Sequence, residues 1–158
     1  MKNRKVLLIG YGNPGRRDDG LGPALAQAVG DRAIPGLDVD ADYQLMVEDA
    51  AEVADHEVAI FADASVSGRE PFEFRRIEPV HEIGFSSHSL EPEAVMGLAG
   101  DMFGATAEGY ALAVRGYEFN EFGEGLSAGA EANLREAVNF IEGVIRKQLY
   151  ADAAEAIG

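Results

Sequence analysis

Short apolar runs alternate with segments of helical periodicity along this chain. Residues 6–9 form a continuous apolar run that leads into a glycine-rich turn, a pattern typical of a strand buried on both faces of a parallel sheet. Residues 21–29 then place apolar side chains at helical spacing and stop at Gly30. The chain therefore opens with a strand, a loop and a helix.

The same alternation predicts the remaining elements. Residues 36–45 alternate as a half-buried edge strand, and residues 56–62 form a second apolar run that ends at Asp63, parallel to the first. Further strands are predicted at residues 71–79 and 110–114, and helices at residues 47–54, at 91–103 and from about 127 to 150. We therefore expect an α/β fold, a three-layer α/β/α sandwich around a mostly parallel five-stranded twisted sheet. We expect one domain over residues 1–158, with 151–158 as a frayed tail.

Composition narrows the classes of function. The chain has 158 residues, 47% of them hydrophobic, enough for one self-sufficient core. It contains no cysteine, which excludes a disulfide framework, a thiolate metal site and a cysteine nucleophile. A net charge of −15 repels a phosphate backbone, so we expect neither nucleic acid nor membrane as a partner. No apolar run is long enough to span a bilayer, and we expect a cytoplasmic protein.

Three potential metal ligands follow predicted strands. Asp19 comes after the first strand, Asp63 ends the third, and His88 lies in the loop after the fourth. If these strands are parallel and adjacent, the three side chains lie at one edge of the sheet, where they could hold a divalent metal such as nickel, zinc, iron or manganese. Each also has a structural alternative: helix capping or turn formation for the aspartates, a loop hydrogen bond for His88. We assign Asp18 to capping or loop support.

The glycine-rich loop itself does not predict a nucleotide site. Its glycines match G-x-G-x-x-G, but the following carboxylates, Asp18 and Asp19, would stand where a pyrophosphate must bind. We therefore expect the loop to position its own side chains. The supporting residues are Gly10, Gly12, Asn13, Asp18 and Gly20.

The opening segment GYGNPGRRDDGLGP resembles the motif G-x-G-N-x-x-x-x-D-[DE]-G-x-G of the hydrogenase maturation proteases. These endopeptidases trim the C-terminus of the large subunit of nickel-iron hydrogenases. The resemblance continues in matching order through FADASVSG, SSHSL and GYEFNEFGEGLS. It implies that Asp19, Asp63 and His88 are the catalytic, metal-contacting residues. Some members carry Glu in place of Asp19, which leaves open whether Asp18 or Asp19 makes the contact.

The resemblance also implies a substrate and a partner. The substrate would be the precursor of the hydrogenase large subunit with nickel already inserted, so the nickel would be supplied by the substrate. Other divalent metals are expected to substitute for it in a crystal. We expect the protein to act as a monomer, and the resemblance does not identify the nucleophile.

Two other functions stay open. A non-catalytic nickel-binding module for hydrogenase assembly would use the same ligands and cut nothing. The GNPG segment also resembles the start of peptidyl-tRNA hydrolases, but their histidine-containing segment is replaced here by Arg17-Asp18-Asp19-Gly20. A charge of −15 is also unsuited to binding tRNA.

The aromatic and acidic segment 117–124 has two interpretations. It could help to dock the precursor, or Tyr117, Phe119 and Phe122 could pack the last helix against the sheet. We expect packing.

Overall fold

Five strands and four α-helices occur within residues 4–81 and 90–150, the parts of the chain that the structure, a computed structural model, describes. Each predicted strand and helix is present, within a few residues of its predicted bounds. A 3₁₀ turn, Arg17–Gly20, was not predicted. In chain order the elements are β1 (Val6–Tyr11), α1 (Leu21–Gly30), β2 (Leu37–Asp42), α2 (Val47–Ala54), β3 (Val58–Ser65), β4 (Phe72–Ile77), α3 (Pro92–Phe103), β5 (Glu108–Arg115) and α4 (Ala128–Leu149).

The strands form one sheet in the order β2-β1-β3-β5-β4. Neighbouring strands are parallel except β4, which lies antiparallel to β5 at one edge. This confirms the mostly parallel five-stranded sheet and the edge position of β2.

The orientation of β4 corrects one premise about the site. The sequence argument placed His88 near Asp63 by assuming that the fourth strand is parallel to the others. Because β4 is antiparallel, its carboxyl end lies at the opposite end of the sheet from that of β3. The physical reason is the connection between β3 and β4, residues 66–71, which is too short for the crossover that a parallel strand requires.

Two helices cover each face of the sheet, which gives the predicted three layers. Val6 and Leu8 of β1 are buried in a cluster with residues of α1 and α4, and Leu7 and Ile9 are buried in a second cluster with residues of α2 and α3. Successive side chains of a strand point to opposite faces, so a strand covered on both sides must be apolar at every position. Each such side chain contributes roughly 1.5–3 kcal/mol on burial.

α4 closes the fold along one face. It begins after Ser127, whose side chain accepts a hydrogen bond from the N–H of Ala130 at 3.2 Å. Its apolar stripe faces the sheet, with Val138, Ile141 and Ile145 buried. Among the helices of the described ranges, none combines the length and the apolar character needed to cross a membrane.

Backbone contact between β1 and α1 sets the position of the opening loop. A Cβ atom at Gly10 would lie 2.1 Å from the carbonyl oxygen of Gly22, and one at Gly22 would lie 2.2 Å from the carbonyl oxygen of Tyr11. Both glycines are therefore required by close approach. The start of α1, and the turn that contains Asp19, are held directly over the end of β1.

Candidate functional site

The strand order creates a crevice between the ends of β1 and β3. The chain leaves β1 through α1 to reach β2, and returns through α2 on the other face of the sheet to form β3 on the far side of β1. In open α/β sheets, ligands bind at such a switch point, outside the carboxyl ends of the strands. Tyr11 ends β1 at this point, and Asp63 lies beside it, since Gly10 pairs with Ala62.

A cavity of about 330 Å³ opens on the α3 side of this point. Ligand pockets typically have volumes of about 300–1,000 Å³. Its polar lining comes from β1, β3, β4 and the residue before α3: Tyr11, Asp63, Ser65, Glu73, Arg75 and Glu91. The cavity is therefore predominantly acidic, and it suits a cation or a hydrogen-bond donor better than an anion.

Asp63 lies half-buried in this cavity. Burial is the largest influence on the pKa of Asp63 and raises it, and the charge of Asp19 raises it further. The N–H of Ala64, which donates to Asp63 at 2.7 Å, and the hydroxyl of Tyr11 lower the pKa, and the net value is about 6. The strand runs two residues beyond Asp63, so this aspartate lies within β3 and not at its end. The charge of Asp19 acts on Asp63, but Asp19 is not among the residues that line the cavity.

Asp19 lies in the 3₁₀ turn and is partly exposed. Its Oδ2 accepts a hydrogen bond from the N–H of Asn13 at 2.9 Å, and the side chain of Asn13 accepts one from Gly15 at 2.9 Å. Gly12 has a φ of 141°, and a Cβ there would lie 2.1 Å from the carbonyl oxygen of Asp19. The loop is thus folded tightly around the backbone of Asp19, while the side chain of Asp19 stays partly accessible.

Asp18 is fully buried and has a different environment. Its carboxylate accepts hydrogen bonds from the N–H groups of Tyr117, Glu118 and Ser127 and from the Ser127 hydroxyl, at 2.7–2.9 Å. Burial raises the pKa of Asp18, but these hydrogen bonds outweigh it and leave the pKa below its ordinary value. Asp18 therefore joins the opening loop to the segment before α4, a structural role.

The segment 117–124 is held mainly by these backbone contacts. Tyr117 meets α4 through its hydroxyl, which accepts a hydrogen bond from Asn133 at 2.9 Å, and Phe119 is half-buried. Phe122 is 84% exposed, and its ring lies 5.4 Å from the guanidinium carbon of Arg16. The packing prediction is therefore wrong for Phe122, because the hydrogen bonds to Asp18 position the segment without it.

His88 lies outside the described residues, within 82–89. Its proximity to the two aspartates stays a prediction. The described chain resumes at Leu90, and the next residue, Glu91, lines the cavity beside Asp63. Of the described segments that flank residues 82–89, the start of α3 is therefore the one that lies at the cavity.

A separate acidic cluster lies between β2 and α2. Asp40, Asp49 and Glu52 each offer a carboxylate oxygen, and these atoms lie within 4.8 Å of one another, a spacing that a metal ion could bridge. The pKa of Glu52 is raised to about 8, mainly by a hydrogen bond with Asp40 and secondly by burial. A proton can therefore take the place of a cation in this cluster. None of the three lines the cavity that contains Asp63.

Sequence reasoning missed Tyr11 and Glu91. Burial, and next the charge of Asp63, hold the pKa of Tyr11 well above its ordinary value, so it is a neutral hydroxyl. Tyr11 occupies the variable position of G-x-G, and only the register with β3 shows that it lies beside Asp63. Glu91 could be placed at a helix start from sequence, but not at this cavity.

Comparison with known proteins rests on structure. No protein-family model matches the chain, and no curated protein sequence does. Solved structures that match include the [NiFe] hydrogenase maturation protease HycI from Thermococcus kodakarensis, at a TM-score of 0.71 and 18% identity over 92% of this chain and 95% of that one. The hydrogenase maturating endopeptidase HybD from E. coli matches at 0.66 and 21%, over 90% and 93%. The hydrogenase 2 maturation peptidase from a Thaumarchaeota archaeon matches at 0.66 and 20%, over 90% and 98%. The chain therefore has the fold of the hydrogenase maturation proteases, which is the family that its opening motif resembles.

Proposed function

We propose that this protein is an endopeptidase that removes a C-terminal extension from the nickel-loaded precursor of a nickel-iron hydrogenase large subunit. The observation that carries the proposal is the presence of Asp63 in an acidic cavity at the switch point of the sheet, where the charge of Asp19 acts on it. The similarity in fold to proteins named as hydrogenase maturation proteases adds support over about nine-tenths of the chain.

In this proposal Asp19, Asp63 and His88 engage the nickel that the substrate carries. A pKa of about 6 leaves the Asp63 carboxyl mostly ionised at neutral pH, as a metal ligand must be. His88 is three positions before Glu91, and three Cα–Cα steps extend at most about 11 Å, so the chain permits the imidazole to reach the cavity. Two carboxylates and one imidazole suit a divalent first-row metal.

The reaction is hydrolysis of one peptide bond. The nickel of the substrate, held in place, would polarise the scissile carbonyl or acidify a water molecule. The water oxygen bonds to the carbonyl carbon, the C–N bond breaks, and the departing amine takes up a proton. A carboxylate of the site that does not bind nickel serves as the base that accepts the proton of the water.

The test is incubation of the full-length protein with a large-subunit precursor, with and without nickel, followed by intact-mass measurement. We expect loss of a C-terminal fragment from the nickel-loaded precursor alone. A stable complex with no change in mass would support the non-catalytic assembly module instead. Cleavage of nickel-free precursor at the same rate would refute the role of nickel.

Matched variants assign the residues. Asp19→Ala, Asp63→Asn and His88→Ala should each lower the processing rate at least about 100-fold, the scale of groups that act on the reacting atoms. The controls are Asp55→Asn, at an exposed aspartate after α2, and His81→Ala, at an exposed histidine that pairs with Asp101 at 3.0 Å.

Both controls should process the precursor at the wild-type rate. Circular dichroism of every variant separates loss of fold from loss of activity. A folded Asp63→Asn protein that cuts at the wild-type rate would remove Asp63 from the site.

A further inference from the structure

Ser65 supplies a second polar side chain on the strand that carries Asp63. Alternate side chains of a strand point to the same face, so Ser65 follows Asp63 on one face of β3, with the two Cα atoms roughly 6.4–6.8 Å apart. Both side chains are half-buried and line the cavity at the switch point. This separation equals about two residues of an extended peptide, so both groups can contact one bound peptide chain.

A turn after β3 fixes the oxygen of the Ser65 hydroxyl. This oxygen accepts a hydrogen bond from the N–H of Gly68 at 2.8 Å. A Cβ atom at Gly68 would lie 2.5 Å from the same oxygen, so the glycine allows this close approach. A serine hydroxyl has one proton to donate besides the lone pairs that accept. Within residues 4–81 and 90–150 the Ser65 hydroxyl donates to no acceptor, so its proton is available to a bound molecule.

The turn over residues 65–68 has other supports besides the Ser65 side chain. The carbonyl oxygen of Ser65 accepts the N–H of Gly116 at 2.9 Å. The carbonyl oxygen of Gly68 accepts a hydrogen bond from the guanidinium of Arg115 at 2.7 Å. Removal of the Ser65 hydroxyl should therefore leave the turn in place, because these two hydrogen bonds do not involve it.

The rest of the cavity offers mainly hydrogen-bond acceptors. Its three carboxyl groups accept hydrogen bonds when they are ionised and cannot donate: Asp63, Glu73 and Glu91. Arg75 can donate, but it pairs with Glu93 at 3.1 Å and its side chain is 59% exposed. The remaining donors are the hydroxyls of Tyr11 and Ser65, and Ser65 is the one on the strand of Asp63, with its oxygen held by a backbone N–H.

A peptide substrate needs both kinds of partner, since each ordinary residue presents one N–H donor and one carbonyl acceptor. The carboxylates of the cavity suit N–H groups, whereas a carbonyl oxygen requires a donor. A hydroxyl supplies that donor without a positive charge that would compete with a metal ion for Asp63.

We propose that Ser65 is a substrate-binding residue, whose hydroxyl donates a hydrogen bond to a backbone carbonyl oxygen of the precursor adjacent to the scissile peptide bond. The inference rests on the proposed function, since it states how that site holds its substrate.

The test compares two variants of Ser65 with a matched control. Ser65→Ala removes the donor, Ser65→Thr keeps a hydroxyl, and Ser67→Ala makes the same deletion at an exposed serine of the same turn. The kcat and KM of each full-length protein are measured with the nickel-loaded precursor. Ser65→Ala should raise KM about 3–10-fold with kcat unchanged, the effect of one neutral hydrogen bond made equally in substrate and transition state. Ser65→Thr should rescue the wild-type KM, and Ser67→Ala should keep it.

A wild-type KM in Ser65→Ala overturns the inference, and so does an equal rise in Ser67→Ala. A crystal structure of Ser65→Ala separates binding from support of the turn. A raised KM together with a displaced 65–68 turn would assign Ser65 to holding the turn and would also overturn the inference.

Direct titration of the precursor separates this inference from the proposed function. A wild type that binds the precursor without cutting it refutes the proposed activity, and Ser65→Ala should then raise the dissociation constant by the same factor of about 3–10. An unchanged dissociation constant overturns the inference. A wild type that binds no precursor refutes both.

Discussion

Replacement of Asp18 with asparagine should destabilise the contact between the two loops that frame the site. The buried carboxylate accepts three N–H groups and one hydroxyl, from Tyr117, Glu118 and Ser127. An amide has one acceptor oxygen, and its NH₂ group would face at least one of these donors. The variant therefore loses hydrogen bonds and places two donors against each other.

The size of the effect follows from the number of partners. A hydrogen bond to a charged group contributes roughly 1.5–3 kcal/mol, and a buried donor left without a partner costs about 1–3 kcal/mol. Since the asparagine oxygen keeps some of the bonds, we expect the free energy of unfolding to fall by about 3 kcal/mol. For a chain of this length each kcal/mol lowers the melting temperature by about 2–4 °C, so the loss is about 6–12 °C.

The loss of stability in Asp18→Asn should also depend on pH. Because the pKa of Asp18 in the folded protein lies below its ordinary value, its contribution to stability is fully present above the unfolded pKa of about 3.9. That contribution is lost as the pH falls through the folded pKa. The difference between wild type and Asp18→Asn should therefore be largest at neutral pH and should narrow in acid.

The assay is urea unfolding of the wild type, Asp18→Asn and the control Asp55→Asn, followed by circular dichroism at pH 7 and at the lowest pH where the wild type is folded. Asp55 is exposed, and its substitution should change stability by less than about 0.5 kcal/mol. An Asp18→Asn protein as stable as the wild type at pH 7 would refute this reasoning. So would a difference that stays constant in acid.

Further predictions concern the acidic cluster and two glycines. The pKa of Glu52 is raised from 4.5 to about 8, first by the proton it shares with Asp40, so the wild type should lose stability as the pH rises between these values. Glu52→Gln should remove that loss, so its free energy of unfolding at pH 8 should exceed that of the wild type by about 1–2 kcal/mol after solvent screening. Glu48→Gln, a control at an exposed position of α2, should have the wild-type dependence on pH in urea unfolding. Gly22→Ala should prevent folding or shift the backbone, because its methyl would lie 2.2 Å from a carbonyl oxygen of β1. Gly143→Ala, whose added methyl would meet nothing beyond the adjacent turns of its own helix within 4 Å, should stabilise α4 by about 0.5–1 kcal/mol, and thermal unfolding compares the two variants. A folded Gly22→Ala protein with the wild-type melting temperature would contradict the close approach of α1 to β1.

Local patterns in the sequence were enough to predict the elements and much of the fold. Burial on both faces of β1 requires a continuous apolar run, and the alternation in β2 marks an edge strand, so both could be identified without coordinates. The spacing of glycines and acids identified the loop that carries Asp19. The separate role of Asp18 could be assigned only as loop support, because its partners lie about 100 positions away in the sequence.

Pairing between distant segments decided the rest. The place of β4 at the edge of the sheet comes from its pairing with β5, which follows it after α3, and the place of Tyr11 beside Asp63 comes from the register of β1 with β3. The acidic cluster forms because α2 packs against β2. Periodicity reports which face of an element is buried, since that depends on the side chains of the element itself. Which residues of two elements meet depends on the contacts that pack them together, and these exist only in the folded chain.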